Sequence, residues 1–361
     1  MSKTVMTLDA GGTNFVFSAI NDGIEIVKPI KLSAKGIFLE DILKTIINGF
    51  KQVYDQLKDK PAAISFAFPG PAEYELGIIG DLQNLPLFRG GVALGPMLEN
   101  IFQIPVFINN DGDLFAYGEA IAGLLPEVNS MLEKAGSPKR YKNLLGITLG
   151  TGFGSGIISN CEIYPGDNSA QGEINRFSDK LNPNYSVEES TTIRAVRNFY
   201  ADSVNIPRYE NTLEPKDIYE IAIGEKPGNM EAARIAFKKM AEGAGNAIAN
   251  AASLTDGLVV IGGGLSNAYP IFLDDLVAEM NKPFSTPEGN EITRMEVDVY
   301  NLENPIQLQK FLKGDARTIM VPFSGKEITY DPSKRIGVGI SRLGTEKATS
   351  LGAYYYAVNH I

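Results

Sequence analysis

One cysteine, one histidine and no tryptophan stand among the 361 residues of this chain. A lone Cys161 cannot close an intramolecular disulfide, and with only His360 beside it in the inventory a Cys/His zinc site cannot be assembled within one chain. Any catalytic base must therefore be a carboxylate, a lysine or a tyrosine. Cys161 itself reads as a small buried hydrophobe, since no histidine is available to activate a thiolate. Positive charge is also short, with 33 Lys and Arg against 43 Asp and Glu and no cationic cluster, which argues against a nucleic-acid or anionic-membrane surface and points to small-molecule partners. No apolar run approaches the roughly 18 residues that span a bilayer. Met1-Ser2-Lys3-Thr4 runs straight into a strand pattern with no room for a signal peptide, so the expected location is cytoplasmic. The common nucleotide signatures are missing too: the glycines from Gly150 to Gly156 do not spell G-x-G-x-x-G, and Gly325-Lys326 lacks the rest of a P-loop.

What is present is a glycine turn written twice. Thr7-Leu8-Asp9-Ala10-Gly11-Gly12-Thr13-Asn14 and Thr148-Leu149-Gly150-Thr151-Gly152-Phe153-Gly154-Ser155-Gly156 each follow one apolar β-rich run and lead into another. Glycine permits positive φ and brings bare N–H groups close to a ligand, and Thr13 and Thr151 add hydroxyls, so a phosphate suits both turns. Ordinary hairpins are the competing reading. Asp9 favours the first, because a carboxylate inside a phosphate-sized turn requires a cation such as Mg²⁺, held through water, between it and the phosphate.

Length predicts two domains. Apolar residues at Phe38, Ile42, Ile46, Phe50, Val53 and Leu57 have helical spacing, and strands follow at Ala62 to Phe68 and Ile104 to Ile108. A helix is expected from Gly112 to Leu124, a polar insertion at 127–142, and helices at Val187 to Tyr200, Pro215 to Ile223 and Asn229 to Leu254. Strands alternating with helices predict a mainly parallel sheet with helices on its faces. The strand Gly257 to Ile261 breaks into Gly262-Gly263-Gly264 before a helix at Tyr269 to Met280, which is either a second kind of anion site, at a helix N-terminus, or a plain loop. A hairpin turning at Ser324-Gly325 falls in 282–332, a stretch without a functional reading. A final helix, Thr345 to Val358, carries Ala348, Leu351, Gly352 and Tyr355 on one face, suited to close packing.

Asp9-Ala10-Gly11-Gly12-Thr13, Asn110-Asp111, Gly150-Thr151-Gly152, Gly172-Glu173 and Gly262-Gly263-Gly264, in that order, resemble the ROK family of sugar kinases and repressors. The resemblance covers nearly all of the chain outside 282–332. It implies an α/β protein with the actin-like, hexokinase-like ATPase fold (ribonuclease H-like), two related α/β domains around a cleft. The expected division is 1–120 with 345–361, and 121–344 with its insertion. It implies an ATP-dependent kinase acting on a hexose or amino sugar, with ATP and Mg²⁺, no zinc, and assembly as a homo-oligomer, expected as a homodimer. Asp9, Gly11, Gly12 and Thr13 would form the first phosphate loop, Gly150, Thr151 and Gly152 the second, and Gly262, Gly263 and Gly264 the turn under ADP. Asp111 would be the base, and Gly70, Asn84, Asn110, Asp111, Glu173 and Glu188 the sugar contacts. On the residues alone Asp111 competes with a helix-capping role, which Asp113 also contests, and Glu173 and Glu188 with plain surface carboxylates. Zinc-containing members carry a histidine after Gly-Glu and then cysteines; here Asn175-Arg176 and a polar run to Tyr185 stand there, so Arg176 is a candidate replacement and the preferred sugar is open. Repressors place a helix-turn-helix domain before the first loop, an arrangement that eight residues ahead of Asp9 argue against. A catalytically silent sugar or nucleotide sensor on the same fold is the alternative to a kinase.

Overall fold

Apolar and β-branched residues on either side of the first glycine turn build an antiparallel pair, β1 (Val5–Ala10) and β2 (Asn14–Asn21), in register from Val5↔Ile20 to Ala10↔Phe15. The structure is a computed structural model describing residues 3–11, 13–81 and 86–361. It divides into two units, one formed by Met1–Gly123, Glu162–Gln171 and Leu343–Ile361, the other by Leu124–Cys161 and Gly172–Arg342.

In the first unit β3 (Ile24–Glu25) and β4 (Ile30–Ser33) both pair with β2, while β5 (Ala63–Ala67) and β6 (Val106–Asn109) continue the sheet from β1 in parallel. The sheet is thus mixed rather than mainly parallel, because a tight glycine turn can join only antiparallel neighbours. Helix α1 (Leu39–Tyr54) buries Ile42, Ile46, Phe50 and Val53 as their spacing predicts, but Phe38 is the N-cap and 66% exposed. Phe50 meets Phe17 edge to face at 5.1 Å, an approach that depends on Gly49, where a Cβ would stand 2.2 Å from the Phe17 ring. After α2 (Leu94–Phe102), helix α3 (Asp111–Ala122) packs against the terminal helix (Thr345–His360) at near backbone contact. A Cβ on Gly118 would lie 2.0 Å from the Ala348 carbonyl oxygen, and one on Gly352 only 1.9 Å from that of Leu114. Ala348 and Gly352 make this approach, as the small residues of that face predict, while Leu351 is buried on the sheet side and Tyr355 is half-buried.

The second unit repeats the opening. Its strands β7 (Leu144–Leu149) and β8 (Phe153–Ser159) are antiparallel across the second glycine turn, from Leu144↔Ile158 to Leu149↔Phe153. Strands β9 (Leu258–Gly262), β10 (Asp298–Asn301) and β11 (Arg335–Ile340) extend it in parallel, in the order β8-β7-β9-β11-β10. Two helical readings are corrected here. Much of the expected polar insertion is helix α4 (Leu124–Lys134), which buries Leu124, Leu125, Val128 and Leu132. The helix expected from Val187 is two, α5 (Glu188–Thr191) and α6 (Ile193–Ser203), because Thr192 turns extended and caps α6 by accepting from the Ala195 N–H. Helices α7 (Pro215–Ile223), α8 (Met230–Thr255), α9 (Leu273–Asn281) and α10 (Pro305–Lys313) complete the unit. The expected hairpin is present, with Arg317–Met320 pairing Glu327–Tyr330. Its base is tied down by Arg335, 1% exposed, whose guanidinium donates to the Phe311 carbonyl at 2.6 Å and to Asp331 at 2.9 Å. Cys161 is half-buried at φ +66°, a turn residue and not the core residue expected.

Candidate active site

The parallel strands β1, β5 and β6 end on one edge of the first sheet, and residues at and near those ends, with residues of β2 and β3 and the opening turns of the terminal helix, line a cavity of about 480 Å³. Asp9 and Asp111 both line it, although they lie far apart in the sequence. Asp111 is the first residue of α3 and is exposed. The cap is Asn110, whose Oδ1 accepts from the Gly112 N–H at 2.8 Å, so the competing capping role belongs to its neighbour. Asp111 Oδ1 accepts from the same N–H at 2.9 Å. Asp113, the other contender, is 3% exposed and accepts from Gln171 Nε2 at 2.7 Å.

The cavity wall is acidic: Asp9, Glu25, Asp111 and Glu346 face a single cation, Lys347, among the described lining residues. The Ser18 hydroxyl donates to Glu25. Burial and, after it, the charge of Glu346 raise the Asp9 pKa above its ordinary value. Two carboxylates lining one cavity and repelling each other suit a divalent cation, and Mg²⁺ typically takes one or two protein carboxylates and fills its shell with water and phosphate oxygens. The chemistry of this wall fits such an ion, which Asp9 would hold; Glu346, the second carboxylate, carried no signal in the sequence. Because a raised carboxyl pKa favours the protonated fold, ionised Asp9 costs stability, a cost fully present above its folded pKa and relieved as pH falls through it. Asp9→Asn is therefore expected to melt higher than wild type at pH 8, with the gap closing towards pH 4 in thermal melts. An unchanged difference across that range would show that Asp9 is not strained by its surroundings.

Of the remaining first-loop residues, Gly11 is close-packed, with a Cβ position 3.0 Å from the Asn14 carbonyl oxygen, and Thr13 is exposed. Gly12 and Asn84 lie outside the described residues. Gly70 is exposed beside the Tyr74 hydroxyl, which would be 3.1 Å from a Cβ there. That hydroxyl donates to the Phe68 carbonyl at 2.9 Å and accepts from Asn110 Nδ2 at 3.3 Å. Tyr74 thus joins the Phe68 carbonyl to Asn110, a link absent from any motif.

In the second unit Thr151 and Gly152 are exposed, and a Cβ on Gly150 would meet nothing within 4 Å. None of Gly11, Gly150 and Gly152 has positive φ, so none of these three is required by left-handed backbone. Glu188 stands beside this turn: its Oε2 accepts from the Phe153 N–H and from Asn175 Nδ2, both at 3.4 Å, and lies 3.6 Å from a Cβ position on Gly152. Glu173 is exposed, next to Gly172 at φ +74°, whose carbonyl accepts from the Ser155 hydroxyl. Arg176 is exposed as well. The polar run beyond it is held by Asp179, 3% exposed, which accepts from the Leu181 N–H and the Ser190 hydroxyl, each at 3.0 Å.

The third glycine run differs from expectation. Gly262 ends β9, and Gly263, at φ +86°, is packed where a Cβ would stand 2.2 Å from the Leu149 carbonyl oxygen. The chain then enters a 3₁₀ turn, Ser266–Ile271, containing Pro270, and α9 begins only at Leu273. The long-helix N-terminus expected as an anion site is therefore not at the glycines. Gly264 instead lines a second cavity, of about 450 Å³, with Lys216 and Tyr219 of α7, Phe237 of α8, and Asn267.

Comparison with known proteins bears on this geometry. The model of the ROK family matches residues 5–305. N-acetyl-D-glucosamine kinase of Vibrio cholerae serotype O1 is 25% identical over 284 residues, which cover 76% of this chain and 88% of the relative. The crystal structure of glucokinase from Parabacteroides distasonis superposes with a TM-score of 0.93 at 51% identity, over 99% of this chain and 98% of that one. A ROK family glucokinase from Streptomyces griseus, in complex with glucose and AMPPNP, gives 0.60 at 18% identity over 99% and 100%, a likeness of fold. The fold is the actin-like, hexokinase-like ATPase fold. With the family match running over most of its length, the chain belongs to the ROK family.

Proposed function

We propose that this sugar kinase transfers the terminal phosphoryl group of ATP to a hydroxyl of a hexose or amino sugar, with Asp111 as general base. The observation that carries the reading is that Asp111 is exposed in the cavity it shares with Asp9, while Asn110 performs the capping. Asp111 takes the proton of the sugar hydroxyl as that oxygen bonds to the γ-phosphorus and the bond to ADP breaks. Mg²⁺ would neutralise charge on the phosphates, and Asp9 with Glu346 would hold it. The backbone of Gly150, half-buried, and of the exposed Thr151 and Gly152 suits phosphate oxygens, and the Gly264 cavity, with Tyr219 and Phe237 in its wall, suits the flat face of a nucleobase. Gly70, Asn110, Glu173 and Glu188 are proposed to face sugar hydroxyls, with Asn84 among them by the family likeness.

Relatives named for glucose and for N-acetyl-D-glucosamine put those two sugars at the head of any panel. ADP release measured with ATP, Mg²⁺ and a range of hexoses and amino sugars is expected to show turnover with at least one of them. No release with any sugar, while nucleotide or sugar still binds, would return the silent sensor.

A further inference from the structure

We propose that the Tyr74 hydroxyl is a positioning group for phosphoryl transfer, setting Asn110 and through it the adjoining Asp111; this rests on the reading of Asp111 as the base. Tyr74 begins a 3₁₀ turn, Tyr74–Leu76, and is half-buried. Its proton is engaged by the Phe68 carbonyl at 2.9 Å, which leaves an oxygen lone pair for Asn110 Nδ2 at 3.3 Å. The far end of the same amide, Oδ1, is fixed by the Gly112 N–H at 2.8 Å. Both ends of Asn110 are therefore held, one to the helix that starts at Asp111 and one to the Tyr74 hydroxyl, which in turn is bonded to Phe68, the residue that follows β5. The Phe68 N–H also donates to the Asn109 carbonyl at 3.0 Å, so the chain entering Asp111 is tied to the end of β5 by backbone and by side chain. A base must stand within hydrogen-bond reach of the hydroxyl it deprotonates, and a displacement of about 1 Å can cost on the order of 10²-fold. Asn110, with both ends engaged, offers a sugar only one further N–H and one further lone pair.

Tyr74→Phe keeps the ring and removes only the hydroxyl. It is expected to lower kcat for sugar phosphorylation roughly ten-fold, the effect of one neutral hydrogen bond lost from the transition state. KM for ATP should stay at the wild-type value, and the melting midpoint should stay within about 2 °C. Asn110→Ser keeps an N-cap acceptor but withdraws the amide donor to Tyr74. In that background Tyr74→Phe should lower kcat clearly less than it does in the wild type, since the contact to Asn110 is already gone and what is lost besides is the bond to the Phe68 carbonyl. Wild-type kcat in Tyr74→Phe, or the same loss in both backgrounds, would overturn the proposal. An inactive Asp111→Asn beside a fully active Tyr74→Phe would remove the proposal and leave the base, whereas an active Asp111→Asn would remove the reading beneath it.

Discussion

Asp111→Asn is expected to reduce phosphoryl transfer by about 10²–10⁴-fold while sugar binding largely survives. The amide reproduces the shape of the carboxylate, and its oxygen can still accept the Gly112 N–H that Asp111 Oδ1 accepts now. It cannot take the proton of an attacking hydroxyl. Because the N-cap is Asn110, the substitution leaves the start of α3 intact, so a loss of activity is not confounded with a frayed helix. Single-turnover transfer and sugar binding by calorimetry, measured on the same preparation, separate the two effects. Wild-type turnover would mean that the proton leaves by another route and that Asp111 only lines the cavity.

The second large effect is structural. Gly352→Val is expected to displace the terminal helix from α3, because even a Cβ would stand 1.9 Å from the Leu114 carbonyl oxygen and 3.1 Å from the Gly118 amide nitrogen. Both obstacles are backbone, so no side chain can swing aside. Overpacking of this kind costs about 3 kcal/mol or more. A fall of roughly 6–12 °C in the melting midpoint follows from about 2–4 °C for each kcal/mol. Activity should fall with it, since the first turn of that helix supplies Glu346 to the cavity. Gly150→Ala is the control, with open space around its Cβ position, and should melt as wild type does. Equal midpoints for the two variants would show that the α3 contact contributes little.

The elements legible in the sequence are those whose period is strong and whose ends are marked. The two hairpins, α1, α7 and α8 follow from alternating or helical apolar spacing, and Pro215 marks the first turn of α7. Helix α4 escaped because Pro126 and Glu127 disguise its opening, although Pro is tolerated in a first turn and four apolar residues are buried along its length. The break at Thr192 escaped because Glu188 to Thr192 carries no glycine or proline to mark an end, and a single capping hydroxyl decides the matter. For the site, Asp9 and Asp111 were legible because Asp9 ends a strand pattern at a glycine turn and Asp111 follows a strand and begins a helix. Tyr74, Glu346 and Tyr219 were not, since each reaches its place by tertiary packing alone, and no local pattern records which distant segment it will meet. Gly263 had the reverse fault, for its motif suggests a ligand and its φ and crowding show a backbone requirement.

The first unit is closed by the last stretch of the chain. Leu351, Tyr354 and Ala357 cover Val5, Ile20 and Ala63, and the wall beside Asp9 is finished by residue 346. During synthesis the first strands therefore wait, with that apolar face uncovered, until residues 345–360 have emerged from the ribosome. The second unit, whose strands and helices lie between residues 124 and 342, can complete its own core earlier. A nascent chain arrested short of the terminal helix would carry every glycine turn and both key aspartates, yet remain inert and prone to capture by chaperones.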